Sequence, residues 1–509
     1  MLDNLPLLLN GFSLAVSPYN IMLMMVGVFL GILVGVLPGL GAPNGVTLLM
    51  PLTFGMNPVS AIILLTSMYW GALYGGSTTS ILFNIPGEPS SVATTFDGHP
   101  MAKAGRATEA LTTAFVASGF GALFGVVVVT ILSSWATRFA LRFSPVEYFS
   151  VFMLAFGSFV AFGGGSPIKA LVSLGLGFSW ASIGMDTVSG SMRLTYGFNE
   201  LSRGINLLVV VIGLYGIAEL CQTMQASPGT VQPVATRLSP REVLRAVLAM
   251  PRYWIALLRS ACIGVWMGIT PGGPTAATFM SYGVGRRFSK AGARFGTGEP
   301  QGLVSSETAD QAAGSAAMLP MLALGLPSSA TAAVLLGGLM IWGLTPGPAL
   351  FAERPDFVWG LIASMYVSNA VCVIMALTTV PLFAAVLRAP FNITGPLIVI
   401  VCLVGAWTVG SNRTDIAMVL AFGAVGYFMS RLDYPVAPLV LAMVLGDRTE
   451  DAFRQSMILA KGSIWIFWSN PLAGTIITVA LLCFALPGFT ALWRLARRQF
   501  LPPPVASGR

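Results

Sequence analysis

Apolar runs recur along almost the whole chain and are separated by short polar or Pro-Gly-containing stretches. Several runs are shorter than the roughly 20 residues that a helix needs to cross a bilayer. Others are interrupted by Pro-Gly pairs, which favours broken or re-entrant helices over plain spans. The runs fall roughly at 20–37, 43–55, 59–83, 109–133, 147–163, 168–185, 204–222, 255–270, 274–285, 315–345, 357–387, 396–411, 414–430, 434–446 and 456–493. The pattern predicts an all-α polytopic membrane protein.

A polar stretch at 223–254 divides these runs into two halves. It contains four prolines and four arginines. Cytoplasmic loops are enriched in Lys and Arg, so this stretch is expected to be a cytoplasmic linker, and the acidic N-terminus, which has no basic leader region, is expected to stay attached and face outward. The predicted organisation is a first transmembrane repeat, the linker, a second transmembrane repeat with an extra C-terminal helix, and a basic cytoplasmic tail, at 1–222, 223–254, 255–493 and 494–509.

The same glycine and proline spacing occurs near the start of each half. Gly-x3-Gly-x2-Pro-Gly stands at 31–39 and again at 264–272, displaced by 233 residues. Downstream, Asn-Ile-Pro-Gly at 84–87 parallels Gly-Leu-Pro-Ser at 325–328, displaced by 241 residues. Because the two halves are expected to enter the membrane from opposite sides, the matches predict two inverted-topology repeats with broken or re-entrant helices. For the Gly-x3-Gly glycines themselves, close helix packing is the main alternative to a direct functional role.

Each Pro-Gly interruption would free backbone carbonyls and start a new helix at membrane depth. A helix N-terminus attracts anions, and freed carbonyls can coordinate a cation. Small polar residues follow both interruptions, and a hydroxyl-rich run stands at 77–80. The candidate substrate-binding residues are Pro38, Gly39, Gly41, Asn44, Gly45, Ser77, Thr78, Asn84, Pro271, Gly272, Thr275, Ser328 and Ser329. An ordinary loop between short spans, or hydrogen bonds between helices, is the alternative for these residues.

Two acidic residues, Glu307 and Asp310, stand beside a long apolar run and are three positions apart, so they share a helix face. Burying an ionisable side chain in a membrane is costly unless it is paired, which makes such residues candidates for function. They could bind a coupling cation or carry a proton, with Thr47, Thr278 and Thr308 as further oxygen ligands. The alternative is that the pair caps the N-terminus of the following helix.

The composition further narrows the range of cofactors and partners that the protein is expected to use. Hydrophobic residues make up 55% of the chain and charged residues 9%. The single histidine, His99, and five widely spaced cysteines argue against metal centres and disulfides, so no cofactor is expected beyond a sodium ion as a candidate coupling ion. The net charge of +8 comes from basic clusters at run ends, which indicates topology signals and no nucleic-acid partner. Arg193 is expected to snorkel to the interface, and Asp186 to lie in a loop or cap a helix.

Taken together, the motifs resemble those of the large membrane subunit of the tripartite tricarboxylate transporter family, from about residue 20 to about residue 485. The chain departs from the family pattern at 307–312, where Glu-Thr-Ala-Asp-Gln-Ala replaces Glu-Ala-Ala-Asn-Asn-Ala, and at Gly273-Pro274 after the second interruption. The motifs that carry the resemblance are Leu-Pro-Gly-Leu-Gly at 37–41, Tyr-Gly-Gly-Ser at 74–77, Asn-Ile-Pro-Gly at 84–87, Asp-Gly-His-Pro-Met-Ala at 97–102, Arg-Leu-Thr-Tyr-Gly at 193–197, Leu-Gly-Leu-Pro at 324–327, Gly-Leu-Thr-Pro-Gly-Pro at 343–348 and the segment from Tyr434-Pro435 to Leu445-Gly446.

The resemblance implies a multi-pass protein of the bacterial inner membrane that imports small organic anions, tricarboxylates such as citrate or related carboxylates, on a sodium or proton gradient. Its implied partners are a small membrane subunit and an extracytoplasmic solute-binding protein. No enzymatic activity is expected. An intramembrane protease needs a Ser-His, paired-Asp or metal arrangement, whereas the sequence has a single histidine in a polar stretch and no Asp-Asp pair within an apolar run. A passive anion channel is the remaining alternative, although two divergent interruptions in unlike halves favour a carrier.

Overall fold

Helices form nearly all of the regular structure in this computed structural model. It describes residues 5–37, 40–162, 166–186, 190–225, 239–270, 273–386, 396, 399–400, 402–404, 406–407 and 412–500. Within this described part, five helical segments are long and apolar enough to cross a membrane, namely Pro18–Val36, Pro58–Phe83, Pro89–Ala140, Pro240–Ile269 and Pro355–Thr379. The prediction of an all-α polytopic membrane protein is therefore confirmed.

The first half combines long helices with short ones that meet at breaks. A two-stranded antiparallel hairpin, β1 (Gly184–Met185) and β2 (Met192–Arg193), follows α8. A π-helical turn at Ile212–Ile217 joins α9 to α10. The helices are α1 (Leu5–Ala15), α2 (Pro18–Val36), α3 (Gly41–Leu49), α4 (Pro58–Phe83), α5 (Val92–Met101), α6 (Ala107–Ala140), α7 (Pro145–Phe162), α8 (Pro167–Ala181), α9 (Leu207–Val211) and α10 (Ala218–Gln225).

The second half begins after the predicted linker, and the described end of that stretch is helical. Residues of the predicted linker form α11 (Pro240–Ala249), which is part of the candidate span Pro240–Ile269. The last helix continues to Phe500, beyond the predicted start of the tail at 494. The remaining helices are α12 (Trp254–Ile269), α13 (Gly273–Phe288), α14 (Pro300–Ala316), α15 (Met318–Leu324), α16 (Ala330–Ile341), α17 (Pro348–Glu353), α18 (Pro355–Val386), α19 (Arg413–Arg431), α20 (Val436–Leu459) and α21 (Pro471–Phe500).

Both predicted helix interruptions occur. Helix α2 ends at Val36 and α3 begins at Gly41, while α12 ends at Ile269 and α13 begins at Gly273. Gly41 and Gly273 both have φ of +58°. This left-handed conformation is strained for a residue with a side chain, so a glycine at each position lets the chain turn directly into a new helix.

The Gly-x3-Gly motifs bring two pairs of helices into backbone contact, α2 with α4 and α12 with α14. A Cβ atom added at any of these glycines would collide with a carbonyl oxygen of the facing helix. The Cβ-to-oxygen distances would be 2.2 Å for Gly31 and Met68, 2.0 Å for Gly35 and Ala72, 2.5 Å for Gly264 and Ala309, and 2.4 Å for Gly268 and Ala313. The packing interpretation of these glycines is confirmed. The contacts of the first half recur in the second half, with the glycines displaced by 233 residues and the facing carbonyls by 241 residues, as in the two sequence motifs.

This packing makes an ordinarily stabilising substitution harmful. Alanine is normally about 1 kcal/mol better than glycine inside a helix. We expect Gly35→Ala to lower the free energy of unfolding by about 2 kcal/mol, because its methyl group overpacks the α2–α4 contact. Gly283→Ala, in α13 with no atom within 4 Å of the new Cβ, should be neutral or stabilising. Denaturant unfolding in detergent micelles measures both variants, and equal effects would contradict the packing account.

The two halves interlock. Helix α18 of the second half packs against α1, α4 and α6 of the first. The Asn369 side chain in α18 donates a hydrogen bond to the Gly119 carbonyl over 2.9 Å, and the Ser67 and Ser368 hydroxyls are 2.9 Å apart. Helix α14 packs against α6 as well as α12. The halves therefore share an extensive buried interface.

Arg193 and Asp186 belong to an ion-pair cluster that joins the hairpin to α20. Arg193 contacts Asp186 over 2.5 Å and Glu450 over 2.9 Å, and Arg454 contacts Asp186 over 3.0 Å. Arg193 thus has one carboxylate partner in the hairpin, Asp186, and one on a distant helix, Glu450. Asp186 does lie in a loop, as predicted, but it serves as a partner for two arginines.

Candidate functional site

A cavity of about 280 Å³ lies where the new helices of the two halves begin. Its volume suits a small molecule, since pockets for drug-sized ligands span roughly 300–1,000 Å³. No Lys or Arg side chain is among the described residues that line it. The lining comprises Leu40, Gly41, Pro43, Asn44, Tyr69, Leu73, Glu88, Pro89, Ser90, Tyr215, Glu219, Pro274, Thr275, Ser329, Ala330 and Thr331.

Four predicted substrate residues meet in this cavity: Gly41 and Asn44 from the first half, and Thr275 and Ser329 from the second. The two residues of the first half lie more than 200 positions before the two of the second half, and the interlocked halves bring the four together. Pro38, Gly39, Pro271 and Gly272 lie outside the described residues.

The other predicted site residues do not line the cavity. Buried residues among them are Gly45, Thr47, Ser77, Thr78, Thr278, Glu307, Thr308, Asp310 and Ser328. Asn84 is exposed and has φ of +59°, so it ends α4. Three of the threonine hydroxyls donate to carbonyls of their own helices, Thr47 to Pro43, Thr78 to Tyr74 and Thr278 to Thr275. These contacts account for the three threonines without a ligand.

A carboxylate of the protein itself occupies the start of α3. Glu88 is 6% exposed, and its carboxylate accepts a hydrogen bond from the Ala42 amide. A Cβ atom at Gly41 would lie 3.6 Å from the second carboxylate oxygen. An acidic group at this position satisfies a free amide and complements the helix dipole. The anion position predicted at the first interruption is thus filled from within the chain.

A serine stands at the equivalent place beside α13. Asn84 and Gly325 both end a helix in the left-handed conformation, and Glu88 and Ser329 each follow four residues later. A Cβ atom at Gly273 would lie 3.1 Å from the Ser329 Cβ. The short serine side chain leaves the α13 start without a carboxylate among the described residues, so the two helix starts differ in charge.

Several buried hydroxyls around the cavity lack a hydrogen bond of normal geometry within the described structure, namely those of Tyr69, Ser90, Tyr215 and Ser328. The Tyr69 hydroxyl lies beside Ser329. The great majority of buried polar groups in proteins are hydrogen-bonded, so orphaned ones need an explanation. A polar ligand in the cavity would supply the missing partners.

Glu307 bonds to three hydroxyls of the first half. Its carboxylate accepts hydrogen bonds from Ser77 over 2.8 Å, from Ser118 over 2.9 Å and from Thr94. These donors belong to α4, α6 and α5, so a single side chain of α14 joins three helices. Charge-assisted hydrogen bonds of this kind are about twice as strong as neutral ones.

Asp310 lies one helical turn further along and is 2% exposed. Its Oδ1 atom has no hydrogen-bond partner in the described structure. Ser90 is beside the carboxyl group, and Glu88 and Glu307 are close enough for charge interaction. Both acids occupy the interior of α14, so the alternative that they cap its N-terminus was wrong. Among the described residues, no group of three or more His, Cys, Asp or Glu side chains is arranged to hold a metal ion.

Sequence reasoning missed Glu88, Tyr69, Ser90, Tyr215 and Glu219 as cavity residues. For Glu88 a signal was available, because an acidic residue directly after the Asn-Ile-Pro-Gly motif at 84–87 is rare in so apolar a region. The tyrosines gave none, since an aromatic residue in an apolar run is usually part of the core.

The Asp-Gly-His motif at 97–99 has a structural role. Asp97 is fully buried, and its Oδ1 accepts hydrogen bonds from the amides of Gly296 and Gly298 over 2.9 Å each and of Glu299 over 2.8 Å. The motif therefore holds the loop before α14 against α5. The His99 Nδ1 lies 3.0 Å from the Ile81 carbonyl, which ties α5 to α4.

A family model described as the tripartite tricarboxylate transporter TctA family matches residues 21–441. The chain belongs to this family. TctA membership confirms the resemblance drawn from the motifs and, together with the apolar helices, identifies a multi-pass membrane transporter protein rather than an enzyme.

Two curated relatives, both from Agrobacterium vitis, extend the comparison of this TctA chain. An uncharacterized 52.8 kDa protein in the TAR-I ttuC' 3' region is 35% identical over 494 residues, which are 95% of this chain and 96% of the relative. An uncharacterized protein in the TAR-II ttuC' 3' region is 34% identical over 224 residues, 44% of this chain and 93% of that relative. No solved structure matches the chain.

Proposed function

We propose that this TctA chain is the large membrane subunit of a secondary transporter in the bacterial inner membrane. It imports small organic anions, such as citrate or related carboxylates, together with sodium ions or protons. A small membrane subunit and an extracytoplasmic solute-binding protein work with it, and the binding protein delivers the anion. The observation that carries this proposal is the cavity in which the two interrupted halves meet, in a chain of this family.

In this proposal the start of α13 binds the anion. The helix dipole, the Thr275 and Ser329 hydroxyls and the orphaned Tyr215 hydroxyl offer partial positive charge and hydrogen-bond donors there. Tyr69, next to Ser329, is a further donor. Such donors hold a carboxylate without a fixed cation, which is how discontinuous helices in other transporters bind anionic groups.

The acidic residues at the cavity explain why entry of the anion would be coupled to entry of a cation or proton. Glu88 and Glu219 line the cavity, Asp310 is near Glu88, and no described basic residue lines the cavity to offset them. An organic anion entering such a site would be repelled unless cations or protons entered with it. The charge balance of the cavity therefore supports import of anion and cation together, and Asp310, with its free Oδ1 atom, is the leading coupling-ion candidate.

The recurring contacts support the proposed repeat. Helices α2 and α3 correspond to α12 and α13, and α4 corresponds to α14 and α15 together, with equivalent glycine contacts and equivalent left-handed ends at Asn84 and Gly325. We propose that the two units have opposite orientations in the membrane and that movement of one against the other exposes the shared cavity to each side in turn.

The direct test is uptake of labelled carboxylates into proteoliposomes that contain this chain and its small partner subunit, with the binding protein outside. Sodium and proton gradients are imposed separately, and each component is omitted in turn. Accumulation above equilibrium that needs the binding protein and one gradient is the expected result. Equilibration that ignores the gradients would favour the passive channel and overturn the proposal.

Removing the Asp310 charge should separate binding from coupling. We expect Asp310→Asn to reduce gradient-driven accumulation at least about tenfold, because the candidate cation ligand is lost, while the folded protein is retained. Counterflow, in which labelled and unlabelled anion exchange without a net gradient, should be affected less. Asp415→Asn, a conservative change near the start of α19, is the matched control and should leave accumulation unchanged. Full coupling in Asp310→Asn would exclude Asp310 as the coupling residue.

A further inference from the structure

A second cavity, of about 890 Å³, lies at the junction of α12, α13 and the loop that leads into α14. Its lining is strongly basic, with five cationic side chains and one carboxylate, Glu299. The cationic residues are Arg106, Arg252, Arg259, Lys290 and Arg294. This cavity shares no residue with the lining of the central one.

Only part of this positive charge is neutralised within the protein. Arg294 pairs with Glu299 over 2.9 Å, and Arg106 pairs with Glu109 over 2.8 Å. Arg252, Arg259 and Lys290 form no ion pair in the described structure. The cavity therefore has a surplus of positive charge, which a bound anion would offset.

Arg259 gives the most direct indication of which ligand the cavity would bind. It lies in α12, within the Pro240–Ile269 segment that is apolar and long enough to span a membrane. Its Nε and Nη2 atoms are buried and have no hydrogen-bond partner among the described residues. A guanidinium in a membrane span is costly unless it is paired, and its planar fork of donors matches phosphate oxygens.

Apolar surface borders the cavity. Ile255 and Phe288, both in the lining, are 60% and 70% exposed, and neighbouring Trp254 is 59% exposed. In a membrane protein such exposed side chains contact acyl chains, and aromatic ones favour the interface. A ligand with a phosphate and hydrocarbon chains satisfies both the basic cavity and its apolar border. We propose that this cavity binds the head group of an anionic phospholipid, with Arg259 as its main phosphate contact.

The predicted topology is consistent with this ligand. Arg252 belongs to the segment expected to be the cytoplasmic linker, and anionic lipids in that leaflet attract basic sites. Basic cavities between membrane helices on that side are typical sites for anionic lipid head groups.

The test uses the full chain in a neutral detergent, titrated with dioleoylphosphatidylglycerol and followed by native mass spectrometry. Dioleoylphosphatidylcholine and inorganic phosphate are separate arms. The wild-type chain should bind the anionic lipid at least about tenfold more tightly than the other two probes, because the site requires both negative charge and acyl chains.

Arg259→Gln should lose about tenfold in affinity for the anionic lipid, and Arg259→Lys should lose less. Arg142→Gln removes the same charge from an exposed position outside the cavity and should behave as wild type. The Nε and Nη2 atoms of Arg259 have no hydrogen-bond partner in the described structure, so replacing Arg259 should not lower the melting temperature. If the melting temperature does fall, Lys290→Gln is the second variant. Unchanged affinity in both cavity variants, equal binding of phosphatidylcholine, or equally tight binding of inorganic phosphate would each overturn the lipid assignment.

Discussion

Ser329→Asp is expected to reduce anion uptake at least about a hundredfold while leaving the protein folded. The new carboxylate would stand at the start of α13, where we place the substrate carboxylate, as Glu88 stands at the start of α3. Two like charges about 4 Å apart repel by about 4 kcal/mol at an effective dielectric constant near 20, which corresponds to several hundredfold in binding. Initial uptake rates in proteoliposomes measure the effect.

The fold should tolerate this change because Ser329 is the N-cap of α16, where its side-chain oxygen accepts a hydrogen bond from the Ala332 amide over 3.2 Å. Asp and Asn are equally good N-caps, so Ser329→Asn is a neutral control of the same size and should retain most of the uptake. Similar uptake by the Asp and Asn variants would show that charge at this position is unimportant and would remove the anion site from α13.

Glu307→Ala is expected to destabilise the protein by about 3 kcal/mol or more. The carboxylate accepts hydrogen bonds from three buried hydroxyls. Its loss would leave the Thr94 and Ser118 hydroxyls without an acceptor in the described structure, while Ser77 would keep the Leu73 carbonyl at 3.1 Å. Removing one partner from a buried charged network typically costs about 3–5 kcal/mol. Unfolding of the purified protein in detergent, followed by circular dichroism during denaturant titration, gives the difference.

Glu307→Gln separates stability from charge, since it keeps the volume of the side chain and one oxygen acceptor. It should lose about half as much stability as the alanine variant. Ser118→Ala removes a single donor and should cost about 1–2 kcal/mol. An alanine variant within about 1 kcal/mol of wild type would mean that the three hydroxyls find other partners, and Glu307 would return as a candidate for ion coupling.

Local sequence signals were sufficient to predict the helix interruptions and the close contacts between helices. Pro-Gly pairs end helices because proline lacks an amide donor and glycine accepts left-handed conformations, and both interruptions occur where the pairs stand. The Gly-x3-Gly spacing likewise predicts contact whatever the partner helix is, and Gly31 and Gly264 lie against carbonyls of the facing helices.

Features that depend on distant contacts could not be read from the sequence. Capping of a helix end was one of the two interpretations of Glu307, because it precedes a long apolar run, but α14 begins earlier, at Pro300. Its hydroxyl partners come from three helices about 190 to 230 residues away in sequence. The position of Glu88 at the start of α3 depends on the same kind of tertiary contact, which no local pattern encodes.

We propose that a carboxylate anion occupies the cavity between the two helix starts. Thr275→Cys, in a background with the five native cysteines replaced, places a thiol on the wall of that cavity, and Asn84→Cys places one at an exposed position outside it. The measurement is the rate of labelling by a hydrophilic methanethiosulfonate reagent in proteoliposomes, with and without the carboxylate that the complete system accumulates. We expect this anion, at about ten times its Kd, to slow labelling about tenfold at position 275 and to leave position 84 unchanged. Labelling at position 275 that proceeds equally fast with and without the anion would contradict this proposal.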